Sequence, residues 1–265
     1  MRRLIAASVL ALACLAPQAV LAPAAAQTPP PDPLGTPAGF SQEIRTVVTF
    51  KIPDEVAQSL LPAGWTVSPI AQGPAKGANL SAVFSETLLG LGADGKPTGA
   101  PETFAVLSVP AKSGQENAFG IVVVYGGAQA VPGYYRTGKP AQVALARSVQ
   151  GQNAAKTVEE SWTVTGEGGE RLNLRIAYEA GQPNRSQFDS RNVSAADPKV
   201  RRNYRVDQGT FVIRSPGSSI DRAKSVSFEA SGGVLGKIFS GTPEIVSIAA
   251  LPWYARQMFV PTVTD

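Results

Sequence analysis

The chain has 265 residues, 24 basic and 20 acidic side chains, 26 glycines, 22 prolines, one cysteine and no histidine. Without histidine, Ser-His-Asp and Cys-His catalysis are excluded, as are the usual zinc and non-haem iron sites. Any general acid or base is therefore Asp, Glu, Lys, Tyr or a terminus. The Gly and Pro content favours short strands and turns over long helices. No cofactor is expected, and no acidic ligand loop for a metal is visible.

Residues 1–26 read as a secretory signal. Arg2 and Arg3 form a positive start, Leu4 to Leu15 an apolar core, and Ala24-Ala25-Ala26 a small-residue cleavage site before Gln27. The expectation is export to the periplasm or medium, with no membrane span after cleavage. The only cysteine, Cys14, lies inside the signal. Removing Arg2 and Arg3 leaves 22 basic residues against 20 acidic ones, a net charge of +2 instead of +4. Arg201, Arg202 and Arg205 make the densest basic cluster, too small for a nucleic-acid surface, so no nucleic-acid partner is expected.

Thr28 to Gly39 is Pro-rich, and residues 27–39 read as an extended leader before one domain spanning 40–265. Ile44 to Ile52 reads as a strand. Pro53 opens a short helix, Asp54 to Leu61, which Pro62 stops. Leu80 to Phe84 is a further strand. Gly90-Leu-Gly92-Ala-Asp-Gly95 matches a dinucleotide pattern, but Lys96-Pro97 follows where that motif needs a helix, so it reads as a hairpin loop. Phe104 to Val109 and Gly120 to Tyr125 are near-continuous apolar runs, as for strands covered on both faces. Ala141 to Gln150 is ambiguous between helix and strand. Thr157 to Thr165 is a strand, Gly166 to Gly169 a turn, and Leu172 to Tyr178 alternates cleanly. Gly181 to Pro198 reads as a surface loop. Phe211 to Arg214, Ala223 to Phe228 and Glu244 to Leu251 complete the strands, the last ended by Pro252. The expected fold is mainly β (α+β): an antiparallel, strongly curved, β-barrel-like sheet enclosing one pocket, with a few short peripheral helices.

The stretch Glu116 to Trp162 carries the candidate chemistry. Lys156 sits among Ala154, Ala155 and Val158, and an amine in an apolar setting is what imine formation requires.

Three segments together resemble the acetoacetate decarboxylase-like superfamily. Arg45-Thr-Val-Val-Thr-Phe50-Lys-Ile-Pro-Asp54 with Leu60-Leu-Pro62 is similar to its opening strand and helix. Glu116 to Val122, Tyr125, Gly127 and Gly133-Tyr134 resemble its "glutamate strand, aromatic-x-Gly, Gly-x-Tyr" segment. Phe211-Val-Ile-Arg-Ser-Pro216, Ser240 to Ile248 and Phe259-Val-Pro261 resemble its closing elements. The resemblance implies a lysine Schiff base with a small β-keto acid, the protonated imine accepting electrons as carbon dioxide leaves. It assigns the lysine to Lys156 and the catalytic-site glutamate to Glu116. Arg45, Glu86, Tyr125 and Tyr134 become substrate-binding candidates. Thr157 stands where the family has a second lysine and Ala155 where it has a proline. Without that second lysine only desolvation or another cation can keep Lys156 neutral. The alternative is a non-catalytic periplasmic small-molecule-binding protein on the same fold. Either way the expected partner is a small carbonyl or carboxylate compound, and a homo-oligomer stays open.

Overall fold

The computed structural model describes residues 32–261, apart from 128–130, 153–154 and 242. The expected signal, Gln27 and the first part of the leader lie outside the described residues, as does Ala154.

Among the described residues, thirteen strands follow one another with two short α-helices. β1 (Thr36–Lys51) leads into α1 (Asp54–Ser59), β2 (Thr66–Val67), β3 (Leu80–Gly92), β4 (Glu102–Ser113) and β5 (Glu116–Gly126). β6 (Gly138–Gln152), β7 (Ala155–Gly166), β8 (Arg171–Glu179), β9 (Asn184–Ser194) and β10 (Arg201–Ser215) come next. β11 (Ile220–Asp221), β12 (Ala223–Ser231), α2 (Gly233–Ile238) and β13 (Glu244–Val260) close the chain. The architecture is a large, curved, mainly antiparallel sheet. Following the pairings β4–β5–β9–β10–β13–β1–β3–β4 returns to the starting strand, so these strands form a ring. β6, β7, β8 and β12 form an antiparallel arm, tied to the ring by a short parallel pairing of β5 with β6.

The arm folds over the ring because its strands are two-faced. On β8, Leu172, Leu174, Ile176 and Tyr178 are buried while Arg171, Arg175 and Glu179 are exposed. On β7, Val158, Trp162 and Val164 share the buried face with Glu160. Thr46, Val48 and Phe50 of β1 meet that face. The Phe50 ring lies 4.7 Å from Phe228 and 5.3 Å from Phe239, and Phe84 lies 5.6 Å from Trp162. Burial of such side chains at about 1.5–3 kcal/mol each supplies the main driving force.

Three sequence expectations change and one open reading is settled. β1 begins at Thr36, so the sheet takes in the last residues assigned to the leader; they pair with Met258, Phe259 and Val260. Ala141 to Gln150 is strand, with Val143, Leu145 and Arg147 on the face toward the ring. Gly181 to Pro198 is not a loop: β9 runs through it, paired with β10 throughout and with β5 in parallel. Pro252 does not end β13, because the β10–β13 register shifts between Gly209 and Phe211. Gly209 lies opposite Trp253 there, and a β-carbon at Gly209 would collide with the indole. A bulge of this kind lets a strand pass a proline that cannot donate to the ladder.

Candidate functional site

The site is built from β1, β6, β7 and β8, with β10 and β13 closing it. Their side chains surround a cavity of about 460 Å³ lined by Ile44, Arg45, Arg147, Val149, Lys156, Val158, Glu160, Tyr178, Ala180, Gly181, Gln182, Pro183, Phe211, Ala250 and Pro252. The period-two geometry of a strand explains the wall contributed by β7. Lys156, Val158 and Glu160 follow each other along one face. Arg147 of β6 lies directly opposite Glu160 in register.

Glu160 is buried and saturated with donors. Thr46 Oγ1 donates at 2.6 Å, Trp162 Nε1 and Tyr178 Oη at 3.0 Å, and Arg147 Nε at 3.2 Å. Arg147 also donates through Nη1 to Glu86 at 2.6 Å. Burial alone would lower the Arg147 pKa, but the carboxylates of Glu160 and Glu86 raise it above its ordinary value. Its Nη2 is buried without a hydrogen-bond partner among the described residues. Burial and the Glu160 charge raise the Tyr178 hydroxyl above the usual tyrosine range. Tyr178 therefore stays a donor. Replacing it, Tyr178→Phe, is expected to cost about 1.5–3 kcal/mol, the loss of one hydrogen bond to a charged group, measured by urea unfolding.

A second buried cluster supports Arg45 from behind. Glu43 accepts from Arg45 Nε at 2.7 Å, from Arg256 Nη2 at 3.0 Å, from Ser41 Oγ at 2.6 Å and from Ser85 Oγ at 2.5 Å. The Arg45 guanidinium lies 3.5 Å from the centre of the Tyr254 ring, a cation–π contact. Arg45 is thus fixed by an anion on one side and a ring on the other.

Of the candidates read from the sequence, Arg45 and Lys156 line the cavity. Glu86 reaches it through Arg147. Glu116, Tyr125 and Tyr134 are not among the lining residues. Glu116, at the start of β5, pairs at 2.8 Å with Arg201, at the start of β10, whose guanidinium lies over Trp65. It is no partner for Lys156. Tyr125 is fully buried in the core, and burial raises its hydroxyl. Tyr134 is exposed, donates to the Arg201 carbonyl at 2.6 Å and carries the Arg202 guanidinium 3.6 Å from its ring centre. Lys156 itself is exposed at the cavity edge, next to the β6–β7 turn, where Gly151 pairs with it. The sequence reading missed Glu160, Arg147 and Glu43. Glu160 was within reach, being two alternations from Lys156.

No protein-family model matches the chain, and no curated protein matches it by sequence. Solved structures do. An acetoacetate decarboxylase-like enzyme from Sphingomonas wittichii RW1 superposes with a TM-score of 0.56 at 17% identity, over 87% of this chain and 93% of that one. The fold is acetoacetate decarboxylase-like. The enduracididine biosynthesis enzyme MppR complexed with pyruvate gives a TM-score of 0.54 at 13% identity, over 85% and 89%. Acetoacetate decarboxylase from Legionella pneumophila gives 0.50 at 12%, over 90% and 93%. At these identities the acetoacetate decarboxylase-like likeness establishes architecture; the chemistry must come from the residues present.

Proposed function

We propose that the chain binds a small carbonyl-bearing carboxylate in this cavity, with the acid group on Arg147 and Arg45 and the carbonyl toward Lys156. The observation that carries this is the meeting of two guanidiniums and a primary amine around one largely apolar cavity. A guanidinium is suited to a carboxylate by charge and by its planar donors. The Arg147 Nη2 group lacks a partner among the described residues, so a ligand oxygen would satisfy it. The structure of MppR complexed with pyruvate is in keeping with a ligand of this class. Residues 1–26 make the proposed setting the periplasm or the medium.

Lysine imine chemistry is the second function, favoured by the place of Lys156 in the same wall. The amine would attack the carbonyl carbon of a β-keto acid and water would leave. The protonated imine would take up the electron pair of the breaking carbon–carbon bond as carbon dioxide departs; a proton would then add to the enamine carbon, and water would hydrolyse the resulting imine to release the ketone and regenerate the Lys156 amine. Lys156 is exposed at the cavity edge and not enclosed by it. Glu116 is held by Arg201 and does not supply a proton there. Binding is therefore the primary function, and imine formation depends on the ligand closing the cavity over Lys156.

Borohydride reduction with pyruvate separates the two. Binding alone gives no covalent adduct by mass spectrometry, while calorimetry still registers the acid. An adduct that disappears in Lys156→Met but persists in Lys51→Met would move the assignment to imine chemistry. Absence of any calorimetric signal with pyruvate or a larger oxo-acid would remove both.

A further inference from the structure

The same cavity points to a narrower ligand class. We infer that its ligand is a monocarboxylate carrying an apolar tail, branched or aromatic, larger than the oxo-acid head alone. This rests on the binding site proposed above and adds what occupies the rest of it.

Size is the first observation. About 460 Å³ is the range in which pockets enclose ligands of drug-like size. A three-carbon oxo-acid would leave most of that space to water against apolar walls. The second observation is the wall itself. Apart from Arg45, Arg147, Lys156, Glu160, Tyr178 and Gln182 the lining is apolar, with Phe211 on β10 and Ala250 and Pro252 on β13. The charged groups sit on β1, β6 and β7, so a ligand anchored there by its acid group has the apolar residues of β10 and β13 left for its tail. The third is charge. Arg45, Arg147 and Arg256 are matched by Glu43, Glu86 and Glu160, each bonded to at least one of those guanidiniums. The further cation in the wall is Lys156. One ligand carboxylate is offset by that ammonium together with the guanidinium donors left over; a second would be buried without a partner, which is costly. The fourth is donor supply. Arg147 spends Nε and Nη1 on Glu160 and Glu86, and Arg45 spends Nε and Nη2 on Glu43. What remains serves one acid group.

Each methylene buried against such walls should tighten binding about fourfold. Calorimetric titration of the intact chain with pyruvate, 4-methyl-2-oxopentanoate, 3-phenylpyruvate and 2-oxoglutarate tests this. The expected order is 3-phenylpyruvate and 4-methyl-2-oxopentanoate at least tenfold tighter than pyruvate, and 2-oxoglutarate no tighter than pyruvate. Equal affinity across the monocarboxylates, or preference for 2-oxoglutarate, overturns the inference while leaving the binding site standing. No binding by any of the four removes the site and the inference with it.

Discussion

Glu43→Gln is expected to lower the melting temperature by on the order of 10 °C. Glu43 is fully buried and is the shared anion of Arg45 and Arg256. The amide keeps the shape and some hydrogen bonds but leaves two guanidiniums without their counter-charge. Breaking a buried pair from one side costs about 3–5 kcal/mol, and in a domain of this size each kcal/mol moves the midpoint by roughly 2–4 °C. Exposed Glu55→Gln serves as the control, with a change within about 0.5 kcal/mol. The same residue sets an acid limit. Burial alone would raise the Glu43 carboxyl, but Arg256, Arg45 and the hydroxyls of Ser41 and Ser85 outweigh it and hold the pKa at about 2, below its ordinary 4.5. A depressed folded-state pKa stabilises the fold above the unfolded value and loses that stability as protons bind. The contribution, about 3 kcal/mol at 1.36 kcal/mol per pKa unit, is therefore present above pH 4.5 and disappears between pH 4.5 and 2. Wild-type stability should fall through that window with a slope that Glu43→Gln lacks. Parallel acid limbs for the two proteins would show that Glu43 does not carry it.

Arg147→Met has the largest expected effect on binding. It removes the guanidinium that joins Glu160 to Glu86 and the Nη2 donor proposed for the ligand. Truncating one member of a buried charged pair costs about 2–5 kcal/mol, so affinity for 3-phenylpyruvate should drop by roughly thirtyfold or more. Glu160 keeps Thr46, Trp162 and Tyr178 as donors, which should let the variant fold, as circular dichroism would verify. Arg147→Lys separates charge from shape. It restores a cation without the fork, so it should recover stability more than affinity. If Arg147→Met binds the acid as tightly as the wild type, Arg147 is structural only.

The sequence made β7, β8 and β12 legible, and most clearly β8, where one face is buried and the other wet. Leu172, Leu174, Ile176 and Tyr178 alternate because Asn173, Arg175 and Ala177 have nothing apolar to meet. β9 was illegible for the opposite reason. From Asn184 to Phe188 both faces are exposed, so no alternation forms, and the strand exists through its backbone bonds to β10. β6 was obscured for another reason, the partial helical spacing of its apolar residues after a leading proline. At the site, the apolar neighbours of Lys156 singled it out and strand periodicity could have added Glu160. Ser41, Glu43 and Arg45 also alternate, but the strand was read from Ile44 onward. Arg147 and Arg256 carried no local signal. Their roles arise from register across β6–β7 and β1–β13, which only the folded chain sets. Glu116 misled because its position in the motif was matched, while its side chain is turned to Arg201.

The structure of the chain bound to 3-phenylpyruvate is the most direct measurement of what the cavity does. The carboxylate should lie within hydrogen-bond distance of Arg147 Nη2, the carbonyl toward Lys156 and the phenyl ring against Val158 and Phe211. Ligand density outside the cavity, or a carboxylate remote from both Arg147 and Arg45, would contradict the proposed site.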